Sequence, residues 1–586
     1  MEPMAAYFHY LKIEKFRGIR SLRWHPSAGV NVILGGGNVG KSTLLESIAL
    51  LLSPTNSYTL ADTDYWSRDV EAEFLIEAVI SLPGESAINQ QGAMAWPWEW
   101  DGRNAVLPEV AGDTEQAPRP AVYKIRVRGT AELELAYEIV QPDGNCASLS
   151  VALRRSIGVV RLSGDDRSDR DLRLVYGAGL DRLLADRGLR ARLGREIAAD
   201  QIEQHLDQPA RQKLDALDLL FGRRALPTEL GLAFVGNAGV SVNALVGLTS
   251  DKNGVALPLI SWGSGTRRLA ALAIADSLQD GHPITVVDEL ERGLEPYRQR
   301  QLMKTLIEGA GQAFVTTHSA TVVSASEPAS LWYIDSAGSI GNLPKSKIAR
   351  HQSVDPEAFL SRLTIVAEGA TEVGFLAALL DRYVPDWSDH GIYISDATGN
   401  DNVLNLLEAL STGGLKFAGF ADFEGRFDGR WRVLRDRIGH LLFQWERGCL
   451  EENIIPLIPH ARIFRFIEDP TAEKTTMRLR TLADRLGIES VDFNVISDRS
   501  DEELKALIVA AATGQIPEHL VDAEKAVKNP YKGHSSVWFK SVVGGRELAE
   551  KVHELGIWPL LQARMVPFLN AIRASVGLEP LPEVEQ

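Results

Sequence analysis

The stretch Val30-Asn-Val-Ile-Leu-Gly-Gly-Gly-Asn-Val-Gly-Lys-Ser-Thr43 decides the fold of the first half of this chain. Its first five residues have the pattern of a buried strand. The rest follows the G-x-x-x-x-G-K-[S/T] pattern and leads into a predicted helix over 44–52. Glycines let backbone N–H groups surround phosphates, and the helix N-terminus adds the positive end of its dipole. The stretch therefore predicts a P-loop that binds ATP.

The residue types in this loop also predict their roles. Lys41 would reach the β- and γ-phosphates, and the Ser42 hydroxyl would bind Mg²⁺. The predicted nucleotide-binding residues of the loop are Gly35, Asn38, Gly40, Lys41, Ser42 and Thr43.

A second part of the nucleotide site is predicted far downstream. The apolar run 283–287 ends in Asp288 and Glu289. An acid at the end of a buried strand can hold the Mg²⁺ shell, and the glutamate after it can orient or deprotonate a water. Asp288 is thus a predicted metal and nucleotide ligand, and Glu289 a predicted catalytic residue.

Two further signals have the order found in ABC-type ATPases. Ser261-Trp-Gly-Ser-Gly-Thr-Arg-Arg268 opens a helix where those enzymes have the signature loop, which contacts the γ-phosphate bound by the opposite subunit. It is not a standard LSGGQ; Ser264 and Gly265 are its predicted contacts. His318 ends the strand 313–317 at the position of the switch histidine, although a lone histidine at a strand end is usually structural.

In the second half, three strand-like runs are each followed by an acid. The runs are 363–367, 391–395 and 417–421, and they alternate with predicted helices. This alternation predicts a parallel α/β sheet, whose carboxyl edge binds ligands. Glu368, Asp396 and Asp422 are expected to meet at that edge.

The acids predict a metal site. Asp422 and Glu424 are two residues apart, so on a strand they would point to the same face. Carboxylates this close repel one another unless a cation lies between them, and an all-oxygen site suits Mg²⁺ or Mn²⁺. Two such ions would support phosphodiester cleavage. Glu451 or Glu452 could add a ligand, and a lysine in 529–540 could stabilise charge on the cleaved phosphate.

These motifs resemble a known combination. The Glu368-Gly strand end followed by Asp422-x-Glu424 resembles a TOPRIM domain. An ABC ATPase fused to such a domain resembles the OLD (overcoming lysogenization defect) nucleases, in particular class 2 and the Gabija-system nucleases. The usual second aspartate of the Asp-x-Asp pair is Glu424 here.

The resemblance implies a two-metal, Mg²⁺- or Mn²⁺-dependent DNA endonuclease that dimerises through its ATPase domain. It further implies an association with a UvrD-like helicase and a role in phage defence. The metal ligands that it implies are Glu368, Glu372, Asp422, Glu424 and Glu451. Lys540 is the implied catalytic lysine, with Lys532 as the alternative.

We therefore predict an α/β protein with an ATPase domain, a TOPRIM domain and a helical extension. The ATPase domain covers 1–335, and its charged helical insert at about 165–225 is either a dimerisation element or a solvated hairpin. A linker is expected at 336–361, the TOPRIM domain at 362–480, and an extension completing the nuclease site at 481–586.

Composition narrows the class of protein. The 62 Lys and Arg against 78 Asp and Glu give a formal net charge of −16, so DNA binding would need a local basic surface. The two cysteines are too far apart for a zinc module, which argues against a primase. No separate DNA-gate domain with a nucleophilic tyrosine is evident, which argues against a topoisomerase. With no secretory signal or apolar span, we expect a cytoplasmic protein without membrane contact. The remaining alternative is a non-catalytic, ATP-dependent DNA-binding or assembly module with a vestigial acid cluster.

Overall fold

The computed structural model describes residues 6–56, 58–82, 96–108, 119–162, 168–175, 178–186, 189, 202–234, 246–277, 284–309, 311–335, 337–412 and 417–582. They divide into two compact units, one of 1–34 with 38–345 and one of 346–586 with 35–37. Within the described ranges, no helix is both long and apolar enough to cross a membrane.

The first unit mixes parallel and antiparallel sheets. Its strands are β1 Tyr7–Phe16, β2 Ile19–Trp24, β3 Val30–Leu34, β4 Phe74–Ser81, β5 Trp98–Trp100, β6 Ala105–Val106, β7 Ala121–Gly129, β8 Leu135–Val140, β9 Cys146–Ser148, β10 Val159–Leu162, β11 Leu230–Phe234, β12 Val246–Lys252, β13 Val255–Pro258, β14 Ile284–Val287, β15 Ala313–Thr316, β16 Ser330–Ile334 and β17 Ile340–Leu343. Its helices are α1 Lys41–Leu51, α2 Val151–Ile157, α3 Ser168–Asp171, α4 Gly179–Leu184, α5 Gln208–Arg223, α6 Ser264–Ser277, α7 Pro296–Glu308 and α8 Ala320–Ala325.

The six-stranded sheet carries the P-loop. Its order is β10-β14-β15-β3-β16-β17, and every neighbouring pair is parallel except β16 with β17. All five residues of β3 are buried: four are apolar, as expected of a central parallel strand, and the side chain of Asn31 donates to the carbonyls of Ser27 and Gly29. The carboxyl ends of β3, β14 and β15 therefore share one edge. An antiparallel sheet containing β1, β2, β4 and β7 and a smaller one of β11-β12-β13 complete the strands of this unit.

The insert predicted at 165–225 is partly described, as α3, α4 and α5. Helix α5 buries Ala210, Leu214, Leu217 and Phe221, which lie on one face at helical spacing. That face packs inward, so α5 is not a solvated hairpin arm. The segments 165–167, 176–177, 187–188 and 190–201 of this prediction lie outside the described residues.

The linker predicted at 336–361 contains the boundary between the two units, which falls between 345 and 346, but its described part consists largely of regular elements. This stretch contains β17, which pairs with β16, then helix α9 Lys345–Val354 and a 3-10 turn at Pro356–Phe359. The Gly, Ser, Pro and Lys residues of this stretch suggested a linker. The strand within it was missed because four residues leave little periodic signal. Ile348 and His351 are buried in α9 and Phe359 in the turn, so their packing holds the stretch in place.

The second unit is built on a small parallel sheet. Its strands are β18 Leu363–Ala367, β19 Ile392–Asp396, β20 Ala418–Ala421 and β21 Leu442–Gln444, in the order β19-β18-β20-β21. Its remaining helices are α10 Ala370–Tyr383, α11 Asn400–Thr412, α12 Asp428–Ile438, α13 Leu450–Ile454, α14 Ile463–Ile467, α15 Ala472–Leu486, α16 Phe493–Ser500, α17 Leu504–Thr513, α18 Lys525–Gly533, α19 Val542–Glu554 and α20 Trp558–Ser575.

The C-terminal helices share the core of this sheet. Leu548 of α19 and Phe568 of α20 belong to the same buried cluster as Ile365 of β18 and Phe420 of β20. The 481–586 segment predicted as an extension is thus an integral part of the unit, and its predicted start falls inside α15.

Helices α10 and α19 approach each other closely through glycines. A Cβ on Gly374 would lie 1.9 Å from the carbonyl oxygen of Val542, and one on Gly545 would lie 2.0 Å from that of Thr371. Only glycine lets the two backbones come this near. The contact fixes α10 against the segment that leads into α19.

Candidate functional site

The P-loop has the backbone geometry of a phosphate-binding turn. It runs from the end of β3 to the start of α1, with positive φ angles at Gly35 (138°), Asn38 (61°) and Gly40 (100°). Glycine adopts such angles without strain, and asparagine tolerates the left-handed region better than most residues. The loop therefore reaches the N-terminus of α1 in a shape that its sequence permits.

The two halves of the predicted magnesium site meet. The Ser42 hydroxyl donates to Asp288 Oδ1 at 3.1 Å, although the two residues are 246 positions apart. Thr316 at the end of β15 also donates to Asp288 Oδ1, at 2.6 Å. Thr316 was missed by the sequence reasoning, because a threonine at a strand end carries no signal of its own. The half-buried Thr43 follows Ser42 in the first turn of α1.

Lys41 is buried beside the acids that follow β14. It is only 6% exposed, and burial lowers its pKa to about 8 even though Asp288, Glu291 and Glu289 favour its charged form. The main chain of Glu289 has a positive φ of 49°, and its N–H donates to Thr316 Oγ1 at 2.9 Å. This turn holds Asp288 and Glu289 next to the P-loop lysine.

His318 is anchored by a second acid of the same turn. Glu291 accepts hydrogen bonds from the His318 N–H at 2.8 Å and from the Thr317 hydroxyl at 2.6 Å. Burial, and then the charge of Lys41, lower the pKa of His318. A neutral imidazole beside the predicted phosphate site can accept a hydrogen bond or donate one. Glu291 was missed by sequence reasoning, although it stands two residues after Glu289.

The signature-like loop is tied to the acidic turn through its arginine. Arg268 is 5% exposed, and it donates to the carbonyls of Glu289 at 2.6 Å and Arg292 at 3.2 Å, and to that of Asp288. Burial lowers its pKa to about 10. Gly265, in the first turn of α6, packs so closely on Gly293 that a Cβ would lie 2.0 Å from the Gly293 oxygen. The start of α6, which includes Ser264, is thereby fixed to the Asp288 turn.

The second candidate site lies at the carboxyl edge of the small sheet. Glu368 follows β18 and Asp422 follows β20, its neighbour in the sheet. Glu368 Oε2 accepts hydrogen bonds from the Asp422 N–H at 2.9 Å and from Asn400 Nδ2 at 2.8 Å. Asn400 Nδ2 also donates to the main-chain carbonyl of Asp422 at 2.7 Å. Asn400 was missed as a site residue because a helix-start asparagine usually serves as a cap.

The first turns of two helices bring two further acids to this edge, and a lysine comes from the segment just before α19. Glu372 is buried in the first turn of α10, and Glu451 is fully buried in the first turn of α13. Lys540 Nζ lies 3.1 Å from Glu451 Oε1. We call Glu368, Glu372, Asp422, Glu451 and Lys540 the carboxylate cluster.

The carboxylate cluster disfavours the negatively charged form of its acids. Burial, and then the charges of Glu372 and Glu368, raise the pKa of Asp422; burial followed by Glu451 raises that of Glu372. Burial alone would lower the pKa of Lys540, but Glu451 raises it above its usual value. Four acids thus share one lysine, and they lack a matching positive charge.

A divalent cation fits this donor set in its chemistry. Asp422 Oδ1 and Glu451 Oε2 are buried without a hydrogen-bond partner among the described residues, as expected of oxygens that a cation would satisfy. As the side chains stand, however, the described part of the chain holds no group of three or more His, Cys, Asp or Glu residues arranged to bind a metal ion. Binding would therefore require side-chain rotation within the cluster.

The remaining predicted residues lie in other settings. Strand β20 ends at Ala421, so Asp422 and Glu424 do not share a strand face as predicted; Asp422 is buried and Glu424 is exposed. Burial raises the pKa of Glu368, and the charge of Glu424 adds to that rise. Glu452 Oε2 accepts from the Cys449 N–H at 3.1 Å and so caps α13. The exposed Lys532 lies in α18, where no described contact joins it to the carboxylate cluster.

A known protein family matches part of the first unit. Residues 153–324 match the family described as "AAA domain, putative AbiEii toxin, Type IV TA system". This range contains the signature-like loop, Asp288, Glu289 and His318. Together with the P-loop geometry, the match indicates an ATP-binding P-loop ATPase domain. No curated protein sequence matches the chain.

Several solved structures are similar to part of the chain. The Smc head domain bound to the C-terminal domain of ScpA from Pyrococcus furiosus shares 13% identity over 59% of this chain and 98% of that one, with a TM-score of 0.37. RecF with ATP shares 13% over 58% and 98%, with a TM-score of 0.35. The SMC head domain from Thermotoga maritima shares 14% over 57% and 98%, with a TM-score of 0.29.

Proposed function

We propose that this protein is a metal-dependent DNA endonuclease of the OLD type, in which an ABC-type ATPase domain controls a TOPRIM-like nuclease unit. The observation that carries the proposal is the carboxylate cluster: the buried Glu372, Asp422 and Glu451, the half-buried Glu368 and one lysine, drawn from separate segments of the second unit. Such a set is costly to bury without a cation, and sites of perturbed charge are characteristic of function.

In this proposal Glu368, Glu372, Asp422 and Glu451 hold Mg²⁺ or Mn²⁺, with the exposed Glu424 as a further ligand at the rim. The bound ions would supply charge stabilisation for the attacking and leaving oxygens of a phosphodiester. Asn400 orients Glu368 and the backbone of Asp422 through its side-chain amide.

The role of Lys540 follows from its position. Its ammonium group lies against Glu451, and the charge of that partner keeps it protonated. A fixed positive charge at this point can bind a DNA phosphate and stabilise the negative charge that develops on it during cleavage.

Nucleotide would act through the first unit. Lys41, Ser42 and Asp288 bind ATP with Mg²⁺, Glu289 orients water, and His318 senses the γ-phosphate. Ser264 and Gly265 would contact nucleotide bound by a second copy, which implies a homodimer through the ATPase domain. Nucleotide can control cleavage only by favouring one arrangement of the protein over another. A role in phage defence, with a UvrD-like helicase as partner, would fit such an enzyme.

The proposal is tested by cleavage of supercoiled and linear DNA with Mg²⁺ or Mn²⁺, with and without ATP. Glu368→Gln and Lys540→Ala should lower the cleavage rate by at least about 100-fold. Lys532→Ala, which removes a lysine outside the carboxylate cluster, should leave it unchanged. Lys41→Ala tests nucleotide control. Metal-dependent cleavage that survives Glu368→Gln would overturn the proposal.

One observation favours a second function. The described side chains form no ready-made metal-binding group, which suits a non-catalytic, ATP-dependent DNA-binding or assembly module. This alternative predicts DNA binding that depends on Lys41 and is unaffected by Glu368→Gln, with no cleavage under any condition. Calorimetric titration with Mn²⁺ distinguishes the two functions. Only the nuclease requires the protein to bind Mn²⁺ in a way that Glu368→Gln abolishes.

A further inference from the structure

A cavity in the second unit is lined partly by chain segments that also carry residues of the carboxylate cluster. Its volume is about 300 Å³, and it is lined by residues of α9, β19, α10 and α19. That volume is at the lower end of the range for small-ligand sites, about 300–1,000 Å³. It can accept one base with its sugar, and it is too small for a folded peptide.

The cavity is built from the chain segments that carry the cluster. Val373 follows Glu372 in α10, and Val542 at the start of α19 is two residues after Lys540. Thr398 belongs to the turn that leads from β19 to Asn400. The turn that contains Thr398 touches the cluster directly, because the Gly399 N–H donates to the Glu368 carbonyl at 2.8 Å and Asn400 Nδ2 donates to Glu368 Oε2 at 2.8 Å. A ligand at the Thr398 side of the cavity therefore lies near Glu368.

The walls combine apolar faces with polar edges. Val354, Val373, Ile394 and Val542 supply aliphatic surface, and the ring of Tyr393 adds an aromatic one. Such surfaces accept the flat face of a base without regard to its identity.

The polar groups around the cavity are held in place. The Tyr393 hydroxyl donates to Asp355 Oδ1 at 2.6 Å, and Arg350 Nη1 donates to the carbonyl of Ala397 at 2.8 Å. His351 is buried, and neither ring nitrogen has a hydrogen-bond partner among the described residues. These groups, together with Asp396, offer hydrogen-bond donors and acceptors, and every base carries both kinds of group along its edge.

We propose that this cavity binds one nucleoside of the DNA strand, next to the phosphate held at the carboxylate cluster. The inference rests on the proposed nuclease function and adds a subsite to it. It predicts that one nucleotide position beside the cut contributes to substrate recognition through its base, whatever the identity of that base.

Val354→Trp is a suitable blocking variant. Val354 is 73% exposed at the rim of the cavity, so the larger side chain can be added without disturbing the core. Val433→Trp is the matched control, because Val433 is 46% exposed on α12 and does not line the cavity.

The experiment measures kcat/KM on duplexes that carry one abasic residue at successive positions. For the wild type and Val433→Trp, we expect a loss of about tenfold at one position next to the cut. Val354→Trp should lose a similar amount on the intact duplex and nothing further at that position. A flat scan, or a Val354→Trp variant that responds to the abasic residue like the wild type, would overturn the inference.

A binding measurement distinguishes the source of the nucleoside and separates this inference from the nuclease proposal. Duplexes with 2-aminopurine at each position are titrated with Ca²⁺ in place of Mg²⁺, alongside free 2-aminopurine deoxyriboside. A fluorescence change at one position that Val354→Trp abolishes supports the inference, even if no DNA is cleaved. A response to the free nucleoside alone, with no position-dependent response in the duplex, overturns the assignment to the DNA strand.

Discussion

Gly545→Ala should force helices α10 and α19 apart and displace the edge of the second unit that carries the carboxylate cluster. The added Cβ would lie 2.0 Å from the Thr371 oxygen and 2.8 Å from the Phe375 nitrogen. Both neighbours are backbone atoms of α10, so neither can rotate away. Relieving the contact needs a separation of roughly 1 Å, and overpacking of this kind lowers the free energy of unfolding by about 1–3 kcal/mol.

The displacement should reach the carboxylate cluster. Thr371 Oγ1 donates to the Phe539 oxygen at 3.1 Å, directly before Lys540, and Glu372 follows Thr371 in α10. A shift of about 1 Å between Lys540 and Glu372 would lower any cleavage rate by up to about 100-fold.

Hydrogen exchange and urea denaturation measure the effect without assuming an activity. Amides of α10 and α19 should exchange faster in Gly545→Ala, and the urea midpoint of this unit should fall. Gly429→Ala is the matched control: it lies in α12 with open space around the added Cβ, so it should raise the helix stability by up to about 1 kcal/mol. Equal urea midpoints and equal α10 exchange in Gly545→Ala and the wild type would refute the close-packing argument.

Three further changes have expected outcomes. Burial and its acidic neighbours raise the pKa of Asp422 to about 9, so at pH 7 in EDTA folding must either bury its charge or protonate it. Asp422→Asn removes that cost, so it should raise the free energy of unfolding by at least about 1.4 kcal/mol and abolish stabilisation by Mn²⁺; thermal denaturation with and without Mn²⁺ checks this. Arg268→Met leaves the carbonyls of the Asp288 turn without their donor, so it should lower the unfolding free energy by about 3 kcal/mol and reduce ATP hydrolysis, as measured by phosphate release. Glu547→Gln breaks the buried pair with Arg478, in which two guanidinium nitrogens lie 2.7 and 2.8 Å from the carboxylate, and should be destabilising by about 3 kcal/mol at pH 7. Burial would raise the pKa of Glu547, but Arg478 holds it below its usual 4.5, so the contribution is complete above that pH and is lost as the pH falls through the lowered pKa. Urea titrations from pH 7 to 3 should therefore show the gap between wild type and Glu547→Gln closing in acid, and a constant gap would contradict the assignment.

Local sequence was sufficient for the P-loop and for the strands that end in acids. Gly35 and Gly40 adopt the positive φ angles that glycine takes without strain, and the run 30–34, apolar except for Asn31, forms a buried strand. The same logic located Asp288, Glu368 and Asp422 at strand ends. In each case the signal lies within about ten residues, where turn chemistry and strand periodicity act directly.

Short and polar segments were misjudged for the complementary reason. Strand β17 has four residues and pairs with β16, so its stability comes from the sheet and leaves little trace in its own sequence. Asp422 and Glu424 do not lie on one strand face as predicted, because β20 ends at Ala421. Where a strand stops depends on its neighbours in the sheet.

The sequence by itself determined the residue types of both sites, because phosphate binding and cation binding each demand particular side chains at particular spacings. Only the tertiary structure decided which of them meet. Ser42 contacts Asp288, which is 246 residues away, and the lysine that pairs with Glu451 is Lys540, not Lys532. The tertiary structure also decided that Glu452 serves as a helix cap, and that Arg268, Asn400 and Gly545 support the sites. These roles depend on distances between segments far apart in the chain, which are set by the packing of the whole unit.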